Sequence, residues 1–124
     1  AKLGKTAKAY EFYLRTARLD LDDYNNDTDD GLHITSMAGT WMTIVEGFAG
    51  MRVKEGQLYL NPMLPPEWKG YKFRILFRGA TLLISVHADC YTIENISDTA
   101  AHIQTASEAF VLAGQGIKLV SKVR

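Results

Sequence analysis

A single cysteine stands in the 124 residues, so Cys90 has no partner within the chain and a disulfide framework is excluded. Charge of one sign is missing too: 14 basic side chains face 14 acidic ones, and the pI is near 7.1. That balance removes the electrostatic footprint of a general nucleic-acid binder and of a polybasic membrane anchor. No run approaches the roughly 18 to 20 apolar residues that span a bilayer. The start, Ala1-Lys2-Leu3-Gly4-Lys5, lacks the apolar stretch of a secretory signal. A lone thiol suits a reducing compartment, and a cytoplasmic location is expected. Neither a Walker loop, a dinucleotide fingerprint, a nucleophile elbow nor a zinc-protease helix is present. What the chain does have is 47% hydrophobic residues and ten glycines, the composition of one ordinary globular domain or a piece of a larger one. It begins at Ala1, already inside a helical pattern, and an excised segment of a longer gene product is expected.

The hydrophobic period changes once along the chain. Leu3, Ala7, Tyr10, Leu14 and Ala17 recur in steps of four and three, which predicts a helix over about Lys2 to Arg18 with Phe12 and Tyr13 widening its stripe. A second stripe, Ile34, Met37, Trp41, Ile44 and Phe48, predicts a helix from about Leu32 to Phe48. Its only charge is Glu46, so it reads as almost wholly buried, with more partners than one helix supplies. Gly39 and Gly47 each cost about 1 kcal/mol there relative to alanine, a cost that close packing or a close ligand would offset. Beyond Gly50 the pattern is that of strands. Met51 to Lys54 and Gln57 to Leu60 flank Glu55-Gly56 as a hairpin. Asn61 to Trp68 holds all three prolines, Pro62, Pro65 and Pro66, and must be an extended, rigid connector. Tyr71, Phe73, Ile75 and Phe77 alternate with Lys72, Arg74 and Arg78; Gly79 turns the chain, and Leu82, Ile84 and Val86 face a core. Further strands are expected at Tyr91 to Ile96, His102 to Thr105, Ala109 to Leu112 and Ile117 to Val123. The expected class is therefore α+β: a helical hairpin over residues 1–50, then an antiparallel β-sandwich over residues 51–124.

Chemistry-bearing residues are few. Six aspartates fall between Asp20 and Asp30. An EF-hand starting at Asn25 would place Asp27 and Asp29 as ligands, but Asp30 stands where the turn glycine belongs and Ser36 where the bidentate glutamate belongs. A solvated connector, with Thr28, Asp29 or Asp30 capping the second helix, suits the residues better. His33 opens that helix, followed by Thr35 and Ser36. A helix start offers unpaired N–H groups and partial positive charge, and an imidazole adds a charge-assisted bond to an anion. The alternative, His33 held by Asp29 or Asp30, stays open at this point. His87, His102 and Cys90 lack metal-ligand spacing, so no metal site is expected. None of Glu11, Glu46, Glu55, Glu67, Glu94 and Glu108 stands out as one of a catalytic pair.

The run Asp29-Asp30-Gly31-Leu32-His33-Ile34-Thr35-Ser36-Met37-Ala38-Gly39-Thr40-Trp41, continued by Ile44-Val45-Glu46-Gly47-Phe48-Ala49-Gly50-Met51-Arg52, resembles the end of the catalytic domain of family 65 glycoside hydrolases and phosphorylases. Leu60-Asn61-Pro62-Met63-Leu64-Pro65-Pro66-Glu67-Trp68, with Phe73-Arg74-Ile75 and Arg78-Gly79, resembles that family's small C-terminal β domain. The resemblance covers roughly Arg15 to Val86 and is nearest to the members that act on maltose; those acting on trehalose, kojibiose or nigerose stay open. It implies that the helical hairpin is the last pair of an (α/α)6 barrel and that the sandwich braces that barrel without chemistry of its own. It also implies the parent reaction, in which an α-glucobiose is cleaved with inversion by inorganic phosphate, a substrate, with no cofactor. The general acid, a glutamate, lies upstream, so no catalytic residue is expected in this chain. The carried-over site is phosphate binding by His33, with Thr35 and Ser36 as neighbours. The implied partners are the rest of the barrel and, commonly in the family, a second copy in a homodimer. Two other classes remain: a family 65 hydrolase, with a carboxylate in place of the phosphate donors, and a free-standing carbohydrate-binding or interaction module whose Tyr59, Trp68 and Tyr71 would form an exposed stacking platform.

Overall fold

The computed structural model describes residues 4–18 and 34–122, with 34–36 described by their backbone. Its first helix, α1, spans Thr6–Arg18. The second, α2, spans Ile34–Met42 and runs straight into a π-helical turn, Thr43–Phe48. The helices are close neighbours because Gly39 of α2 faces Thr16 of α1, where an added Cβ would lie 3.2 Å from the threonine methyl. Close packing thus offsets the cost of Gly39, whereas a Cβ at Gly47 would meet only an ordinary contact, 3.7 Å from Thr43.

The inward stripe of α1 differs from the expected one. Tyr10, Tyr13, Thr16 and Ala17 turn inward, while Ala7 and Leu14 are exposed. The reason is the position of its neighbours: aromatic rings from the connector and the π turn claim the side on which both tyrosines lie. A second difference concerns α2. Met37, Trp41 and Met42 are 59%, 47% and 47% exposed. The helix expected to be almost wholly buried is therefore open along that side, because α1 and the sandwich cover only the other.

The π turn was not visible in the hydrophobic period, which reads as one helix to Phe48. Its register is widened by one residue: the Ala49 N–H donates to the Ile44 carbonyl at 2.8 Å. The extra residue brings Val45, Phe48 and Ala49 all to full burial while Glu46 stays exposed. Val45 and Ala49 then join the sandwich core directly.

The eight strands are β1 (Arg52–Lys54), β2 (Gln57–Leu60), β3 (Tyr71–Phe77), β4 (Ala80–Val86), β5 (Cys90–Asn95), β6 (Ala101–Thr105), β7 (Ala109–Leu112) and β8 (Ile117–Ser121). They form two sheets, β1-β2-β6-β7 and β3-β4-β5-β8. The second sheet is antiparallel throughout; the first contains one parallel pair, β2 with β6, at Leu58↔Ile103. That pair follows from the path of the chain. After β2 the connector crosses to build β3 to β5 in the other sheet, and β6 returns beside β2 in the same direction.

Alternation dictates the core. Phe73 and Ile75 of β3, Leu82, Ile84 and Val86 of β4, Tyr91 and Ile93 of β5, and Ile103 of β6 point between the sheets, with Leu58 and Leu60 opposite. Both tight hairpins use paired left-handed residues. Glu55 and Gly56 have φ of 49° and 77°, and Arg78 and Gly79 have 48° and 82°, the primed geometry that matches strand twist. At the far end Asn95 is fully buried, donating to the Thr99 carbonyl at 2.7 Å and accepting from the Ser97 hydroxyl at 2.7 Å. It ties β5 to the following loop and leaves no buried side-chain polar atom unpaired among the described residues.

Candidate functional site

Helix α2 begins at Ile34, which places Thr35 and Ser36 in its first turn. His33, the side chains of Thr35 and Ser36, and the Asp20 to Asp30 cluster with its capping residues lie outside the described residues. What the structure supplies is the backbone frame. The first N–H groups of a helix have no intrahelical carbonyl and present positive potential. The first turn from Ile34 carries no acidic residue to oppose an anion. Because Thr16 lies against Gly39 and Tyr13 against Phe48, α1 runs opposite to α2, and its last turn, with Arg15 and Arg18, lies toward the α2 start. Arg15 is paired with Glu11 at 2.9 Å on an exposed face.

The other end of the helical pair is fastened to the sandwich. The Met63 N–H donates to the Phe48 carbonyl at 2.8 Å and the Asn61 N–H to the Ala49 carbonyl at 3.1 Å. The connector therefore runs as a strap along the end of the π turn. Gly50, at φ of 62°, lies so close that a Cβ would stand 2.8 Å from the Asn61 carbonyl oxygen, so no side chain fits there. Trp68 closes the strap. Its ring stands edge-on to Tyr13 at 5.0 Å, Phe48 at 5.3 Å, Tyr71 at 5.7 Å and Tyr10 at 6.0 Å between centroids. Such pairs contribute about 0.5–1.5 kcal/mol each beyond area burial. Tyr71 donates its hydroxyl to the Met63 carbonyl at 2.9 Å, and burial pushes its pKa well above the usual tyrosine value.

These contacts remove the exposed platform that the binding-module reading needs. Trp68 faces inward onto α1 and the π turn, Tyr71 packs against Trp68 and Phe73, and Tyr59 lies apart on β2 under the Lys54 ammonium, 5.9 Å from its ring centre. A cleft of about 520 Å³ lies along the strap, between Pro62, Pro65, Trp68 and the chain at Tyr91, Ser107 and Lys122. The Lys122 ammonium donates to the His87 carbonyl, and burial lowers its pKa.

Among the described residues no three His, Cys, Asp or Glu side chains converge. His87 and His102 are exposed and Cys90 is half-buried. Of the glutamates, Glu108 is committed to Lys118 at 3.1 Å and Glu11 to Arg15, while Glu46, Glu55 and Glu67 are exposed. Sequence reasoning missed Trp68 as a hub, placing it in the connector and, for a binding module, on an exposed platform. The one signal for it was a large ring directly after a Pro-Pro-Glu run, where a rigid chain can aim it.

The fold and this frame define a class: a helical pair whose last turn is built into the core of a C-terminal β-sandwich, with a donor-bearing helix start facing away from it. Sequence comparison makes the assignment specific. Residues 51–112 match the glycosyl hydrolase family 65 C-terminal domain, and residues 1–42 match the family 65 central catalytic domain. The chain belongs to glycosyl hydrolase family 65. It is 45% identical over 115 residues to maltose phosphorylase of Bacillus subtilis (strain 168), covering 93% of this chain and 15% of that protein. It is 51% identical over 86 residues to alpha,alpha-trehalose phosphorylase of Geobacillus stearothermophilus, covering 69% of this chain and 11% of that protein. A solved structure, a putative kojibiose phosphorylase from human microbiome, superposes with a TM-score of 0.90 at 33% identity, over 100% of this chain and 18% of its own. The chain thus spans less than a fifth of each of these relatives. Among the described residues no helix is long and apolar enough to cross a membrane.

Proposed function

We propose that this chain is the C-terminal part of an inverting phosphorylase that cleaves maltose with inorganic phosphate. In that reaction a phosphate oxygen attacks the anomeric carbon from the face opposite the glycosidic bond. The C–O bond to the leaving glucose breaks as a general acid upstream protonates its oxygen, giving β-glucose 1-phosphate and glucose. The residues of this chain serve the phosphate. A dianionic nucleophile needs donors rather than a general base, and a helix start with His33, Thr35 and Ser36 supplies imidazole, hydroxyl and backbone donors. Residues from about 1 to 50 belong to the catalytic barrel and 51–124 to the sandwich, and the parent enzyme is a cytoplasmic homodimer needing no cofactor. The observation that carries the reading is the 45% identity to a maltose phosphorylase over 93% of the chain, including the helix start.

A second substrate, trehalose, is favoured by the 51% identity over 86 residues to a trehalose phosphorylase. The full-length protein separates the two when maltose, trehalose, kojibiose and nigerose are each offered with and without phosphate and glucose 1-phosphate is assayed. Phosphate-dependent release from maltose supports the proposal; release from trehalose alone moves it to the second substrate, and phosphate-independent hydrolysis refutes a phosphorylase. In the same protein His33→Ala is expected to raise the phosphate KM on the order of tenfold or more, with the maltose KM within about twofold. Unchanged phosphate kinetics would remove His33 from the site.

A further inference from the structure

The strap does more than join two segments. Trp68 touches α1 through Tyr10 and Tyr13, the π turn through Phe48, and the sandwich through Tyr71, which itself stacks on Phe73 at 6.2 Å. One ring therefore meets all three bodies whose relative placement fixes the helical pair. The strap is rigid where it leads into that ring. Pro62 and Pro65 are buried, the Trp68 N–H donates to the Pro65 carbonyl at 3.0 Å, and the two backbone bonds from Asn61 and Met63 hold the π turn. By contrast α1 has no fully buried residue and reaches α2 at the close Thr16 and Gly39 approach. The angle of α1 on the sandwich is thus set by ring contacts at its middle, and its far end, with Arg15 and Arg18, lies toward the start of α2.

We propose that Trp68 is a positioning residue for phosphate: by wedging between α1, the π turn and β3, it fixes where the helical pair presents the start of α2. The inference rests on the phosphorylase reading above and gives the C-terminal sandwich a part in it. The ring touches no substrate; it acts through the placement of donors. A displacement of about 1 Å in a binding group far from the substitution can cost up to about a hundredfold, so a measurable loss is expected where the wedge is removed.

The test uses the full-length enzyme with maltose and phosphate varied independently. Trp68→Ala is expected to raise the phosphate KM on the order of tenfold and the maltose KM by less than about twofold, and Trp68→Phe, which keeps a ring, to return the phosphate KM to within about threefold of the parent. If Trp68→Ala does not accumulate folded, Trp68→Leu carries the same expectation, since it keeps apolar bulk without ring edges. Equal rises in both KM values, or failure of Trp68→Phe to rescue, would overturn the inference and leave a structural role only. If His33→Ala raises the phosphate KM and neither Trp68→Ala nor Trp68→Leu does, the positioning role alone fails. If the unaltered enzyme shows no phosphate-dependent cleavage, the phosphorylase reading fails and the inference falls with it.

Discussion

The sandwich and the helical pair bury their apolar residues to different degrees. In the sandwich, Leu58, Leu82, Ile84, Val86 and Ile93 reach 0% exposure from opposed sheets. In the helical pair, no residue of α1 is fully buried, and Phe12, Met37, Trp41 and Met42 are about half exposed, at 52%, 59%, 47% and 47%. The π turn and the Ala49 that follows it belong to both regions, since Val45 and Ala49 sit in the sandwich core. The difference teaches that a closed sheet pair satisfies its own alternation within this length, whereas an amphipathic helix needs neighbours on every apolar side. The helical pair is the region matched to the catalytic domain of proteins more than five times longer, where those neighbours have room to lie.

The comparison is most easily broken in the core. Leu82→Ala, at a site with no exposure, is expected to destabilise the 124-residue chain by about 2–5 kcal/mol through lost burial and a residual cavity. Urea or thermal unfolding measures it, and a loss below about 1 kcal/mol would mean that the sandwich is not the closed region described. A smaller effect is expected at the seam. Tyr71→Phe removes the bond to the Met63 carbonyl and costs about 1 kcal/mol at neutral pH.

The same residue carries a pH dependence whose sign is fixed. Burial raises the Tyr71 pKa in the folded state above the ordinary value of 10.0, so the folded chain holds a proton that the unfolded chain gives up. The Tyr71 contribution is fully present below 10.0 and is lost progressively as the pH rises above it. Denaturation at pH 8 to 11 is expected to show a shallower alkaline fall in Tyr71→Phe than in the parent chain, and parallel curves would count against a buried hydroxyl.

The smallest effect is the most informative about the open helices. Met37→Ser, on the exposed side of α2, is expected to change the stability of the 124-residue chain by less than about 0.5 kcal/mol. In the full-length protein, if upstream helices cover that side, the same change is expected to cost at least about 1 kcal/mol. Equal small effects in both would show that α2 keeps a solvent face in the parent.

Much of the architecture was legible because alternation is local. Each strand of the sandwich falls where a period of two predicted it, and the Glu55-Gly56 and Arg78-Gly79 turns need nothing beyond their own residues. The helix positions were legible for the same reason, but their faces were not. Leu14 belongs to the four-three stripe as firmly as Tyr10, and only the place of the connector rings decides that Tyr13 goes in and Leu14 stays out. The π turn was hidden because a one-residue widening leaves the apolar spacing almost unchanged. Of the candidate site, a helix start near Leu32 was readable from the chain, and α2 is described from Ile34; the wedge at Trp68 was not, since its four ring contacts come from three separate elements.

The succession of elements, the inward face of each strand and the rigidity of the strap follow from the residues alone. Only the tertiary structure decided that β2 and β6 run parallel, that the π turn enters the sandwich core, and that one tryptophan holds three bodies together. The physical reason is range. Backbone preference and alternation act within a few residues, whereas these features depend on which apolar surfaces meet after the chain has crossed from one sheet to the other.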